Sequence, residues 1–165
     1  MLYVGLDLSL TGSGLVIVDE EGIVIDRGLY GYTLTRKATV RDKIERLLFI
    51  VENIIKKVER HGDDVVVGIE GYAYGKFGSQ PELGELQGCV KTQLWLALRI
   101  VPEVVVVTAA RKTVLGKGRF SKGKKGKTEI INAVCERGFD VSDDNVADAY
   151  VIAECMRLKG KVKNG

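Results

Sequence analysis

The run at residues 65–70, VVVGIE, is the feature that most limits how this chain can fold. It is apolar or glycine at every position until it ends on Glu70. A strand without alternating polar residues is covered on both faces, as in a parallel sheet flanked by helices. The run therefore predicts an α/β protein with a buried central strand that carries a carboxylate at its end.

The rest of the chain supplies the elements of such a sheet. Period-two and continuous apolar patterns predict further strands, and three-and-four spacing predicts helices, the strongest of them at residues 39–60. The predicted strands are 2–8, 15–19, 23–32 and the buried strand 103–108, and the other helices are 81–99, 109–115, 127–137 and 143–158. No linker rich in Pro or Ser interrupts this order, so we expect one domain over residues 1–165.

Composition excludes several kinds of chemistry. His61 is the only histidine, which argues against Ser-His-Asp catalysis and against metal sites built on several histidines. The three cysteines are far apart and are expected to be reduced, as in a cytoplasmic protein. No run of 18 apolar residues is present, so no contact with a membrane is expected. Any acid or metal chemistry must therefore depend on carboxylates.

Carboxylates occur at informative positions. Asp7 lies in the first strand before a glycine-rich turn, and Glu70 ends the apolar strand. Asp144 and Asp148 are four residues apart and share one face of the last helix. Buried carboxylates need a cation, and carboxylates with water suit Mg²⁺ or Mn²⁺. Two such ions about 4 Å apart would support phosphodiester hydrolysis.

Each of these carboxylates also has a structural interpretation. Asp7 could cap a turn, whereas Asp143 and Asp144 could stabilise a helix start behind an N-cap at Ser142. Glu70 is the hardest to explain in this way, because it follows a buried run directly.

Positive charge is concentrated in residues 111–127. This segment holds eight of the 25 Lys and Arg residues and no acidic residue, so the rest of the chain is acidic, with 17 basic against 22 acidic residues. Clustered cations are typical of contacts with the nucleic-acid backbone. The basic residues of the segment are Arg111, Lys112, Lys117, Arg119, Lys122, Lys124, Lys125 and Lys127. We expect a mobile basic loop at about 116–126 and a short basic tail from about 157; the alternative is that both are merely solvated.

Four motifs occur in the order of a known family: VGLDLSLTGSGLVIV near the N-terminus, GIEG at Glu70, ARKTVLGKG at 110–118 and DDNVADAYVIA at 143–153. They resemble the RuvC-type Holliday-junction resolvases of the ribonuclease-H-like superfamily, and the small size and basic loop resemble a phage or prophage member. The resemblance implies a mixed five-stranded sheet of order 3-2-1-4-5 with helices on both faces. It also implies a bacterial or phage-infected cytoplasm, a homodimer, and paired incisions in four-way DNA junctions with two Mg²⁺ ions per site, or Mn²⁺ in their place.

The resemblance also assigns residues. Asp7, Glu70 and Asp148 match three of the family's four metal-binding acids. The fourth lies three residues before the last, where this chain has Asn145, so Asp144 is assigned in its place. Lys127 and either Arg111 or Lys112 match lysines that hold the scissile phosphate. The aromatics that pack on bases match Tyr72 and Tyr74.

Three rival functions remain open at this stage. An actin-like ATPase shares the strand-turn pattern but needs a longer chain. A junction-binding protein without activity could keep the fold, and a related nuclease could act on RNA or other branched DNA. Dimerisation is also suggested by the helix at 81–99, where apolar residues lie on more than one side and two glycines permit close approach.

Overall fold

The computed structural model describes residues 1–62, 64–71 and 80–163. Within them it contains a five-stranded sheet of order β3-β2-β1-β4-β5 with helices on both faces, which confirms the predicted fold class. The elements are β1 (Leu2–Asp7), β2 (Ser13–Val18), β3 (Val24–Tyr30), α1 (Val40–Glu59), β4 (Val65–Glu70), α2 (Gln80–Leu98), β5 (Glu103–Val105), α3 (Val107–Leu115), α4 (Gly123–Cys135) and α5 (Asp144–Lys163).

The sheet is mixed. β2 runs antiparallel to both β1 and β3, whereas β4 pairs in parallel with β1 on one side and with β5 on the other. Strands β1 and β2 are buried almost throughout, as expected for strands covered by helices on both faces. The C-terminal ends of the two central parallel strands, β1 and β4, therefore lie side by side.

Two apolar layers cover the two faces. One contains α3, α4 and α5, with Ile152 and Tyr150 among its buried side chains. The other contains α1 and α2, with Ile54 and Leu94 fully buried. Helix α1 begins with a capping box, in which Thr39 accepts a hydrogen bond from the Asp42 amide and Asp42 accepts one from the Thr39 amide.

Two glycines let α5 lie unusually close to the sheet. A Cβ atom on Gly5 of β1 would be 1.9 Å from the carbonyl oxygen of Ala149, and one on Gly14 of β2 would be 2.2 Å from that of Asn145. Such distances exclude any side chain at these positions. Because α5 crosses β1 and β2 in direct backbone contact, its first turns lie beside the end of β1.

The outer edge of β3 is occupied by side chains. Lys57 of α1 donates to the Arg27 carbonyl at 3.1 Å and forms an ion pair with Asp26 at 2.8 Å. Asp26 in turn accepts from the Arg27 amide at 2.7 Å. The backbone groups of Arg27 that face away from the sheet are thus already hydrogen-bonded.

Three sequence predictions need correction. β5 is three residues long and lies at the sheet edge with Val104 exposed, because α3 already begins at Val107. The basic loop is shorter than expected, since α4 starts at Gly123. The residues predicted as a tail from about 157 continue α5 to Lys163, and Arg157 is buried in an ion pair with Glu154. None of the described helices is long and apolar enough to cross a membrane.

Candidate active site at the ends of β1 and β4

Asp7 and Glu70 meet because they end adjacent parallel strands. Leu6 pairs with Ile69, so the next residues, Asp7 and Glu70, lie side by side. The Asp7 side chain is buried and its carboxyl group is hydrogen-bonded to that of Glu70. Burial, this hydrogen bond and the nearby charges of Glu70 and Asp148 raise the pKa of Asp7 well above its usual range. Two carboxyl groups in direct contact share a proton unless a cation separates them.

Asp148 of α5 faces the same site and is held by Arg111 of α3. The guanidinium group donates from Nε to Oδ1 at 2.9 Å and from Nη2 to Oδ2 at 2.5 Å. Burial raises the pKa of Asp148, although the hydrogen bonds and charge of Arg111 oppose the rise. For Arg111, burial alone would lower the pKa, but the hydrogen bonds to Asp148 and the surrounding carboxylates raise it. The pair is therefore a buried, two-pronged ion pair inside an acidic cluster.

Asp144, one turn before Asp148, pairs with Lys127 of α4. Its Oδ2 lies 2.7 Å from the Lys127 Nζ, and the lysine side chain is 58% exposed. The hydrogen bond that Lys127 donates to Asp144 raises the pKa of Lys127, and the charges of Asp143 and Asp7 act in the same direction. The second acid of α5 thus also has a basic partner, at the solvent side of the cluster.

The neighbouring residues Asp143 and Asn145 have other positions. The Asp143 carboxylate accepts hydrogen bonds from the amides of Asn145 at 2.9 Å and Val146 at 3.1 Å, so Asp143, and not Ser142, caps α5. The side chain of Asn145 lies against the turn between β1 and β2, where its Nδ2 would be 3.4 Å from a Cβ on Gly12.

The remaining predicted residues lie in the basic segment or outside the described structure. Tyr72 and Tyr74 fall outside the described residues. The exposed basic residues of the segment are Lys112, Lys117, Arg119, Lys122, Lys124, Lys125 and Lys127. Ser121 ties the segment to α4, because it donates from its amide and hydroxyl to Glu129, at 3.1 and 2.6 Å. Phe120 has Arg111 and Lys117 beside its ring, 5.8 and 5.0 Å from the centroid.

Sequence reasoning missed Gln87. This buried residue of α2 donates from Nε2 to the Glu70 carbonyl at 2.9 Å and so holds the end of β4, while its Oε1 has no hydrogen-bond partner among the described residues. An available signal was a polar residue within the apolar stripe formed by Leu83, Leu86 and Val90.

The acids suit a divalent cation in chemistry but are not arranged as a formed metal site. Across residues 1–62, 64–71 and 80–163, no three acidic, cysteine or histidine side chains are grouped to hold a metal ion. Instead Asp148 and Asp144 have basic partners, while Asp7 and Glu70 contact each other. The raised pKa of Asp7, which results from burial and from the adjacent carboxyl groups, indicates a local excess of negative charge that a cation would relieve. Asp7, Glu70 and Asp148, with Asp144 beside them, are the residues that fit a hard cation.

Comparison with solved structures identifies the fold of the chain. RuvC of Thermus thermophilus has a TM-score of 0.73 and 18% identity over 99% of this chain and 97% of its own. The same protein in complex with a Holliday junction substrate has a TM-score of 0.73 and 16% identity over 98% and 96% of the two chains. The chain has the RuvC fold.

A viral protein shows the RuvC fold with a larger deviation from this chain. The Fowlpox virus resolvase, solved with Holliday junction DNA, has a TM-score of 0.57 and 11% identity over 96% of this chain and 98% of its own. No protein-family model and no curated protein matches the sequence. The likeness is thus carried by the fold across nearly the whole chain.

The raised pKa of Asp7 predicts a pH-dependent gain of stability in Asp7→Asn. Burial and the contact with Glu70 disfavour the charged form, so the native state holds this proton more tightly than the unfolded chain does. The proton on Asp7 stabilises the native state fully at pH values below the pKa that Asp7 has in the unfolded chain. This stabilisation is lost as the pH rises through the pKa that Asp7 has in the folded protein. Urea unfolding in EDTA should therefore show Asp7→Asn to be more stable than the wild type at pH 7, with a smaller difference at pH 4.

Asp42→Asn is the matched control with the opposite sign. Hydrogen bonds from the amide and hydroxyl of Thr39 lower the pKa of Asp42, so this carboxylate stabilises the native state above its unfolded pKa. The control variant should be less stable than the wild type at pH 7 and approach it in acid. A stability loss at pH 7 for Asp7→Asn would contradict the proposed electrostatic repulsion.

Proposed function

We propose that the protein is a structure-selective, metal-dependent DNA endonuclease that resolves four-way junctions by paired phosphodiester hydrolysis. The observation that carries the proposal is the convergence of Asp7, Glu70 and Asp148 at one edge of a RuvC-type sheet. Two structures of that fold, from Thermus thermophilus and Fowlpox virus, were solved with Holliday junctions, which favours the same substrate class here.

In this proposal the acids hold the metal. Asp7, Glu70, Asp148 and Asp144 would bind two Mg²⁺ ions, or Mn²⁺ in their place, with Glu70 fixed by the hydrogen bond from Gln87 to its carbonyl. Bound Mg²⁺ supplies a water nucleophile of lowered pKa and charge stabilisation at the phosphate. In the part of the chain that the structure describes, no basic side chain forms an ion pair with Asp7 or Glu70, so these two acids would gain most from a bound cation.

The basic residues would hold the DNA. Lys127 lies at the solvent side of the acids and is 58% exposed, which suits contact with the scissile phosphate. Arg111, rather than Lys112, is the α3 residue that reaches the acids. The exposed residues of 111–127 would contact backbone phosphates on either side, giving affinity without reading sequence.

A homodimer completes the proposal, because a resolvase needs two active sites to cut two strands. A groove of about 690 Å³ separates α1 from α2, and its lining includes Leu47, Leu48 and Ile55 with Cys89 across from them. Trp95 also projects from α2 and is 48% exposed. An apolar surface of this kind is typical of a face that another chain covers.

Cleavage of labelled four-way junctions with Mg²⁺ tests the function. Glu70→Gln and Asp148→Asn should reduce the rate by more than roughly 100-fold, the upper range for groups that only support a metal ligand. Junction binding should persist, since these variants remove negative charge. Asp144→Asn should be as damaging if Asp144 is the fourth acid, whereas Asp143→Asn should be mild because asparagine also caps helices.

A near wild-type rate for Glu70→Gln would refute the active site. If Asp144→Asn keeps normal activity while the other variants lose it, Asn145 and not Asp144 is the fourth metal-binding residue. Three-way, flap, duplex and RNA substrates in the same assay decide between a junction resolvase and its relatives, and binding without cleavage by the wild type would identify a non-catalytic protein.

The basic segment should contribute affinity in a salt-dependent way. Replacing Lys122, Lys124 and Lys125 together with Ala should weaken junction binding and reduce the slope of log K against log salt by up to roughly 2.7, at about 0.9 for each lost phosphate contact. Fluorescence anisotropy over a salt series measures both quantities. Arg41→Ala, which removes an exposed cation of α1, is the control. An unchanged slope in the triple variant would place the DNA surface elsewhere.

The proposed dimer face is tested by charge. Leu48→Glu combined with Cys89→Glu would bury repelling carboxylates in the groove, so a wild-type dimer should become a monomer in analytical ultracentrifugation at micromolar concentration. Val101→Glu places the same charge at a residue that is 77% exposed and does not line the groove, and it should stay dimeric. A strictly monomeric wild type would contradict the homodimer.

A further inference from the structure

Arg111 occupies both oxygen atoms that Asp148 would offer to a metal. Its Nε and Nη2 lie 2.9 and 2.5 Å from Oδ1 and Oδ2, and the two side chains are only 17% and 11% exposed. A paired, charge-assisted contact of this kind is among the strongest hydrogen-bond arrangements in proteins. A divalent cation on the same oxygens would also repel the guanidinium. The two cations therefore compete for Asp148.

The contact at Asp144 is different in strength. Lys127 makes one contact at 2.7 Å and is 58% exposed, so solvent and salt screen it. Its four-carbon chain can leave the acid with little loss. Arg111 is thus the cation that controls whether the acidic cluster can accept a metal.

We propose that Arg111 is an exchangeable counter-ion, which neutralises Asp148 while no metal is bound and is released by metal binding to hold a DNA phosphate. This inference rests on the proposed function, since it concerns the same site. It assigns Arg111 two partners in turn, one carboxylate and one phosphate, both of which match the planar fork of its five N–H donors.

The surroundings of Arg111 favour the second position. Its guanidinium carbon lies 5.8 Å from the centroid of Phe120, and Lys117 Nζ lies 5.0 Å from the same centroid. Phe120 belongs to the segment that carries the exposed lysines. A guanidinium released from Asp148 therefore remains next to an aromatic ring and to the residues that face DNA.

The exchange couples two binding events. Metal binding frees a cation for the phosphate, and a phosphate that attracts Arg111 uncovers Asp148 for the metal. Such coupling is reciprocal, so the metal must raise junction affinity by the same factor by which the junction raises metal affinity. A residue that only supports the fold would not produce this linkage.

Calorimetric Ca²⁺ titration provides a test that does not use cleavage, because Ca²⁺ also takes oxygen ligands. Arg111→Gln should bind Ca²⁺ roughly tenfold more tightly than the wild type, because a competing charge-assisted contact is removed. Lys112→Gln removes the same charge from the next, exposed position and should stay within about twofold of the wild type. Arg111→Lys keeps the charge without the fork, so its Ca²⁺ affinity should lie between wild type and Arg111→Gln.

Junction affinity, measured with and without Ca²⁺ at fixed ionic strength, gives the second readout. The increase that Ca²⁺ produces should be smaller in Arg111→Gln than in wild type. Unchanged or weaker Ca²⁺ binding by Arg111→Gln would overturn the exchange, and so would an equal loss of junction affinity with and without Ca²⁺. If Arg111→Gln does not fold, as judged by thermal unfolding, Arg111→Lys decides in the same way. A wild type that binds Ca²⁺ and junctions as expected but cuts nothing would refute the nuclease and leave the exchange intact.

Discussion

The close contact of α5 with β1 and β2 is the constraint on which the site depends. At Gly5 and Gly14 the helix backbone lies so near the strands that no Cβ fits between them. This contact places Asp148 beside the end of β1, next to Asp7, although 141 positions separate the two residues in the chain. The hydrophobic layer around Ile152 and Tyr150 then fixes the helix along the sheet. A chemical site is thus positioned by apolar packing and by the absence of two side chains.

The same packing concentrates negative charge in a buried part of the protein. Asp7 and Asp148 are both buried, and burial is the largest cause of the raised pKa of each. The positive charge of Arg111 opposes part of this rise in pKa. A native state that tolerates this buried acidic cluster gives up stability at this position of the fold.

The strand pattern made the mixed α/β class predictable, and the resemblance of four motifs to a known family supplied the strand order that the sheet has. VVVGIE required a covered central strand, and Asp7 and Glu70 follow from the rule that neighbouring parallel strands end together. Other features depend on three-dimensional detail. Arg111 and Lys112 are adjacent cations in one helix, and only the rotation of α3 against α5 decides which of them reaches Asp148. Asp143 became the cap of α5 because the helix starts one residue later than its pattern suggested.

β5 was misjudged for a related reason: its apolar residues resemble a buried strand, whereas Val104 is exposed at a sheet edge only three residues long.

The two outer strands of the sheet, β5 and β3, offer few free backbone groups at the positions described above. A sheet grows into aggregates by adding strands to unpaired backbone groups. On one side Lys57 and Asp26 already bind the Arg27 backbone, and on the other Glu103, paired with Lys159 at 3.0 Å, puts charge on a strand too short to template another. At Arg27 and along the short β5, the outer edges of the sheet therefore offer fewer free backbone groups to a strand of a neighbouring molecule.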